Sequence, residues 1–165
     1  MLKLLFSLDG RINRQRFWLG LLLVAVLNIV LSVLLMNLGF GNSQTQSGSV
    51  EVDGQLQQQF MRTVFVLAPL PSLLLSLLSA VPMTILAIKR RRDRNVSGID
   101  VVVFTALAIV TQLLVLAGQG GTLLTGILGT VQGIWSLVLL VQLGFLSGTR
   151  GPNRYGPDPL GYGDA

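Results

Sequence analysis

The chain has 165 residues, of which 51% are hydrophobic and only 12% charged, about half the charged fraction of a soluble globular domain, so it is built for a bilayer. Its net charge of +5 comes without the interleaved aromatics or soluble module of a nucleic-acid face, which excludes nucleic acid and points to anionic lipid. The absence of cysteine and histidine excludes disulfide frameworks, thiol nucleophiles, imidazole bases and the usual zinc and haem ligands, so neither a metal nor a cofactor is expected.

No residue from Phe17 to Val50 is charged, and residues 17–40 exceed the roughly 20 apolar residues that cross hydrocarbon as a helix. This predicts a first span. The run is longer than a signal-peptide core and lacks a clear small-residue cleavage site, so a retained helix is the better reading. Residues 41–62, rich in Gly, Ser and Gln and carrying Glu51 and Asp53, predict a solvated outer loop. A second span follows over residues 64–88. Its Pro69, Pro71 and Pro82 should bend or shorten the helix, with Ser72, Ser76 and Ser79 at hand for the carbonyls they free. Lys89, Arg90, Arg91, Arg92 and Arg94 then fall in a loop over residues 89–100.

Val101 to Thr149 are 49 consecutive uncharged residues, about 73 Å as one helix against a hydrocarbon core of about 30 Å. One span cannot hold them. Gly118-Gln119-Gly120-Gly121 is the natural break, giving spans over residues 101–117 and 123–147 as a plain hairpin, with re-entrant half-helices as the alternative, and then a tail over 148–165. The fold class is therefore all-α: a single polytopic membrane domain with a four-helix transmembrane bundle. Four spans put the N-terminus, the middle loop and the tail on one side, which carries eleven of the twelve Lys and Arg residues and leaves Arg62 opposite. By the positive-inside rule both termini are cytoplasmic.

Three segments on that side carry more than charge. In Gly10-Arg11-Ile12-Asn13-Arg14-Gln15-Arg16-Phe17-Trp18, a turn entering a helix puts Arg11 and Arg14 on one face and Trp18 at the height of an aromatic belt. Asp93 among five cations is expected to be ionised and paired, with Ser97-Gly98 as a turn or cap before the third span. Asn95-Val96-Ser97 fits a glycosylation sequon but lies on the cytoplasmic side, where it stays bare. The Gly and Pro of Asn153-Arg154-Tyr155-Gly156-Pro157-Asp158-Pro159 fix tight turns, so the tail is expected to be ordered and docked on the other two segments. The set Asp93, Ser97, Gly98, Asn153, Arg154, Tyr155 and Asp158 reads as a structural clasp. Arg11, Arg14, Arg16, Trp18, Arg90, Arg91, Arg92 and Arg94 read as the residues that meet lipid headgroups or a partner.

These three segments together resemble the bacterial inner-membrane family called domain of unknown function 805. The likeness rests on a GRxxRxxFW opening at residues 10–18, Arg90 with Asp93 and Ser97-Gly98, and the NRYGPDP tail at 153–159. Where the family's middle pattern has leucine, histidine and tryptophan, this chain has Arg91, Arg92 and Ile99, so no role of that histidine carries over. The resemblance implies a small multi-pass protein of the bacterial inner membrane and supplies no activity.

Within the spans there is no ionisable residue, which disfavours a pump; Asn28, Gln112, Gln132 and Gln142 are expected to hydrogen-bond between helices. Gly129–Gly133 and Gly144–Gly148 fit the close-packing GxxxG spacing on the fourth span. The leading expectation is a non-enzymatic accessory or scaffold subunit of a larger membrane complex. Its arginines would bind anionic lipid of the inner leaflet or an acidic partner, and its spans would pack on a partner protein or a second copy. An oligomeric transporter or channel component is the alternative. A headgroup enzyme with Asp93 or Asp158 as base is a third reading, weakened by the lack of a nucleophile with a partner base.

Overall fold

The protein is described by a computed structural model covering residues 2–52 and 55–161. A short helix α1 (Leu2–Phe6) precedes α2 (Arg14–Leu35), whose last turn widens through Met36–Phe40. A ribbon of β1 (Gly41–Val52) and β2 (Gln55–Leu67) leads to α3 (Pro69–Asp93). Then come α4 (Ile99–Leu114), extended by Val115–Gln119, and α5 (Leu123–Leu140), extended by Val141–Phe145. With these extensions four helices are long and apolar enough to cross a membrane: Arg14–Phe40, Pro69–Asp93, Ile99–Gln119 and Leu123–Phe145. The four-helix membrane protein expected from the sequence is what the chain forms.

Local chemistry explains the boundaries. The Asn13 side chain accepts a hydrogen bond from the Arg16 amide and caps α2, and the Thr122 hydroxyl does the same for the Thr125 amide of α5. Gly39 (φ 91°) and Gly118 (φ 78°) end α2 and α4 in the left-handed conformation that glycine adopts without a Cβ penalty. Spans three and four form the plain hairpin, turning at the predicted glycines.

The second span departs from expectation at both ends. Pro69 opens α3 instead of bending it, because a first-turn residue needs no amide donor, and the helix starts at Pro69 rather than at residue 64. It then runs on through the basic cluster to Asp93, so Arg90, Arg91 and Arg92 sit in its last turn, where cations oppose the negative pole of the helix. The connection to α4 shrinks from the predicted 89–100 to a few residues. Pro82 remains inside the helix. Ser72, Ser76 and Ser79 donate to the carbonyls of Pro69, Leu73, Leu75 and Ser76, none of which is the Leu78 carbonyl that Pro82 leaves without its donor.

The predicted outer loop is a correction too. Residues 41–52 and 55–67 pair as an antiparallel ribbon from Gly41 opposite Leu67 to Val52 opposite Gln55, with a register irregularity at Val50/Glu51. Asp53 and Gly54, and residues 162–165 of the tail, lie outside the described residues.

Packing follows chain order: α2 on α3, α3 on α4, α4 on α5, with α2 touching the last turn of the fourth span. The core lies at the arginine-rich end, around Ile12, Phe17, Leu86, Val101, Leu139 and Leu143. A Cβ on Gly20 would lie 2.7 Å from Leu86 Cδ2, so glycine lets α2 and α3 close there. Elsewhere the spans present leucine, valine and isoleucine outward, which is the arrangement for which lipid, and not water, is the solvent.

The intramembrane amides divide. Gln132 Nε2 donates to Thr111 Oγ1 at 2.8 Å, joining α5 to α4, and Gln142 accepts from Arg91, whereas Asn28 bonds the Val24 carbonyl of its own helix and departs from expectation. Replacing Gln132 by leucine is expected to lower stability by about 0.6–2 kcal/mol, read as a reduced Tm in detergent.

Candidate functional site

All three sequence-distant motifs meet at the end of the bundle where α3 stops and α4 starts. Asp93 is their hub. Its Oδ1 accepts from Arg11 Nε (3.2 Å) and Nη2 (3.1 Å), and its Oδ2 accepts from Arg90 Nη1. The side chains of both arginines are 0% exposed and that of Asp93 5%. Two buried guanidinium groups against one carboxylate leave one positive charge to be satisfied by dipoles, and the tail supplies them. Arg11 donates to the carbonyls of Thr149 (2.7 Å), Gly151 (2.8 Å) and Gly156 (3.2 Å). This planar fork of five donors is a geometry that a lysine ammonium lacks. The Thr149 amide and hydroxyl in turn donate to the Asp93 backbone carbonyl at 2.8 and 2.9 Å.

A second feature lies beside the first. The last carbonyls of a helix have no partner within it, yet five consecutive ones, from Gln142 to Leu146, each accept a side-chain donor from another element. Arg94 takes Gln142 (3.3 Å), Arg90 Nε takes Leu143 (2.8 Å) and the Trp18 indole takes Gly144 (3.1 Å). Arg14 takes Phe145 (3.1 Å), and Arg90 Nη2 takes Leu146. Cations gather at the negative pole of α5, where the dipole favours them. The GRxxRxxFW and RxxD patterns therefore work largely as a cap for the fourth span, made from the first and second.

Arg91 pairs with Asp100 and donates to Gln142 Oε1, tying α3 to α4 and α5. Arg92 donates to the Leu8 carbonyl, and its guanidinium lies 5.4 Å from the Tyr155 ring centre, with that of Arg154 at 4.8 Å, both within cation–π reach. Asn153 Nδ2 donates to the Arg92 carbonyl and to Thr149 Oγ1, and Arg154 to the Asn95 carbonyl, which docks the tail as the clasp reading requires. Gly98 takes the cap position of α4 at φ 80°, while Ser97 is exposed.

The predicted division of roles therefore changes. Arg11 and Arg90, expected to face headgroups, are buried members of the clasp. Arg14 and Trp18 cap α5, and Arg91, Arg92 and Arg94 are held by neighbours. Arg16 alone of the eight is exposed without a tertiary hydrogen bond or ion pair among the described residues. Sequence reasoning missed Gly148, whose added Cβ would overlap the Asp93 carboxylate, and Thr149, Arg150 and Asp100. The signal for Gly148 was the GxxxG match at 144–148; a Cβ on Gly144 would lie 2.6 Å from Trp18 Cζ2. At Gly129 and Gly133 nothing comes within 4 Å, so that match packs on no described residue.

Asp158 completes the docked tail. Its oxygens accept from the amides of Leu160 (3.0 Å) and Gly151 (2.8 Å). The Leu160 amide first, and then the Gly151 amide and the charge of Arg11, hold its carboxyl below the ordinary value of 3.8, against an opposing push from burial. A depressed folded value means that the stabilisation is present above pH 3.8 and is lost as pH falls through the folded value. The Asp158 share of tail docking should accordingly be lost below about pH 3.8, read as faster limited proteolysis of the tail there and as a smaller acceleration in Asp158→Asn.

Between the start of α2 and the tail lies a cavity of about 250 Å³ lined by Asn13, Arg14, Arg90, Asp93, Arg150 and Asp158 among others. Its guanidinium groups suit the holding of an anion. No group of acidic residues able to hold a metal ion occurs among the described residues.

No curated protein and no solved structure matches the chain. The family described as "Protein of unknown function (DUF805)" matches residues 5–157, nearly the whole chain and all three segments of the clasp, and the chain is a member of that family.

Proposed function

We propose that the protein is a non-enzymatic accessory or scaffold subunit of the bacterial inner membrane, with the arginine clasp on the cytoplasmic side at the level of anionic headgroups. The observation that carries this reading is the use made of the motif residues. Both oxygens of Asp93 are held by arginines, Arg14, Arg90 and Arg94 cap α5, Arg92 and Arg154 hold the tail, and among the described residues no hydroxyl lining the cavity donates to a carboxylate. Such an arrangement builds a rigid charged platform. The eleven cations of the N-terminal, middle and tail segments favour the inner leaflet for it, and the open glycine face of α5 at Gly129 and Gly133 offers a partner helix close approach.

The test is gentle extraction from the native membrane, followed by sizing and by analysis of co-extracted lipid. An assembly larger than the monomer, enriched in anionic lipid and losing that enrichment on Arg16→Glu and Arg150→Glu, supports the reading. A lone monomer with bulk lipid composition contradicts it.

One observation favours transport as a second reading. A cavity of about 400 Å³ between α3, α4 and α5 is lined by Ser76, Thr105, Thr111, Gln112 and Gln132, at a depth where polar groups seek water. Solute flux into vesicles carrying the protein, above that of empty vesicles, would establish it, and its absence would dismiss it.

A further inference from the structure

The cavity beside the clasp has a composition that selects its occupant. Arg14, Arg90 and Arg150 line it with Asp93 and Asp158, and Arg11 holds Asp93 as well, so four positive charges meet two negative and the site is net positive. Asp93 and Arg90 are spent on each other, and the Asp158 oxygens on backbone amides. Arg14 makes a single hydrogen bond, to the Phe145 carbonyl, and Arg150 makes no hydrogen bond or ion pair among the described residues. Asn13 and Arg14, which open α2, also line the cavity, and the first turn of that helix has no acidic residue to neutralise its positive pole. The guanidinium of Arg150, the remaining donors of Arg14 and a helix start together suit a tetrahedral oxyanion.

What lies below the cavity suggests where that anion comes from. Four residues along, α2 presents Trp18, which meets Gly144, and a second, apolar cavity of about 180 Å³ follows. It lies among all four helices, lined by Phe17 and Leu21 of α2, Leu86 of α3, Phe104 of α4 and Ser136 and Leu140 of the fourth span, the last two of them exposed between α2 and α5. Since α2 packs on the fourth span mainly through its last turn, the two helices leave a seam there. Polar cavity, indole and apolar seam thus stack in the order of headgroup, ester region and acyl chain.

We infer that this seam is a stoichiometric site for one anionic glycerophospholipid. The phosphodiester sits between Arg14 and Arg150, a neutral glycerol-type headgroup fills the rest of the cavity, and one acyl chain lies along the α2/α5 seam. A phosphodiester with a neutral headgroup brings net negative charge to this positive site, whereas a zwitterionic ethanolamine lipid brings none. The inference rests on the proposed headgroup-level position of the clasp and names the ligand class for that same site.

Native mass spectrometry of the full chain in neutral detergent, titrated with phosphatidylglycerol, phosphatidylethanolamine or sodium phosphate, tests it. The expected result is one saturable phosphatidylglycerol adduct, at least tenfold tighter than phosphatidylethanolamine. It should weaken at least tenfold in Arg14→Gln/Arg150→Gln, in which the glutamine at position 14 keeps a donor for Phe145. Leu140→Trp, which fills the seam and leaves both arginines, should weaken it similarly, and Ser136→Phe serves if that variant fails to fold. An adduct indifferent to the arginine pair overturns the site. Inorganic phosphate competing for the pair, with no effect of the seam variants, overturns the lipid as its occupant. The broader reading fails separately, when co-extracted lipid shows no anionic enrichment in the unaltered protein.

Discussion

Replacing Asp93 by alanine is expected to lower stability by about 3–5 kcal/mol, the cost of leaving buried charges without their counter-ion. Arg11 and Arg90 are both fully buried around that carboxylate, and each also holds backbone carbonyls of the tail or of α5. Without Asp93 the two guanidinium groups repel each other with no counter-ion between them. Relief comes only by releasing the tail and the cap of the fourth span together. Thermal unfolding in detergent reads the stability, and protease cleavage near residues 150–160 reads the released tail. Asparagine should rescue little, because it can present an acceptor to Arg11 or to Arg90 but sets an amide donor against the other. Loss of folding fits a structural hub. A folded, stable Asp93→Ala protein would contradict the clasp.

The second large effect is expected at Gly148. An added methyl group would occupy the space of the Asp93 carboxylate, which two arginines hold in place and cannot yield cheaply. Overpacking of this kind costs about 1–3 kcal/mol, and displacing the hub adds part of the cost described for Asp93. Gly148→Ala should therefore approach Asp93→Ala in Tm, and the two changes combined should be far from additive because they damage one interaction. Gly129→Ala is the matched control. Nothing lies within 4 Å of its added Cβ, so the monomer should keep its Tm. A loss of Tm at Gly148 no larger than at Gly129 would contradict the contact with the Asp93 carboxylate.

Where charge and turn chemistry decide the structure, the sequence is legible. The hairpin of spans three and four turns at Gly118-Gln119-Gly120-Gly121 because 49 uncharged residues cannot form one helix across a bilayer, and only glycine-rich backbone offers the left-handed positions a tight return needs. The ribbon is less legible. Its Gly, Ser and Gln composition matches a loop, and the contrary signals were local ones: Val50 and Val52 in alternation, Asp53-Gly54 as a hairpin turn pair, and β-branched Thr63, Val64 and Val66. Those last residues were absorbed into the second span because they carry no charge. Pro69 and Pro71, read as bends, were the true start signal.

The site was legible as three segments and illegible as a set of roles. Arginines at 11, 14, 16, 90, 91, 92 and 94 look alike as charges, and only tertiary placement buries Arg11 and Arg90 while leaving Arg16 outside. Asp93 was read as paired because five cations surround it in sequence, but one of its two partners, Arg11, lies 82 residues away. The need for glycine at position 148 depends on where that carboxylate ends up, which no local pattern records.

The most direct test of the account is which side of the membrane each segment faces. The chain has no cysteine, so single cysteines at Ser43 in the ribbon, Ser97 between α3 and α4, and Pro152 in the tail, all exposed, can be labelled one at a time with a membrane-impermeant maleimide in intact cells and after permeabilisation. The account predicts labelling of position 43 in intact spheroplasts, and of positions 97 and 152 only once the membrane is opened. Positions 97 and 152 reacting from opposite sides would contradict it, since Asp93 and the tail could not then meet.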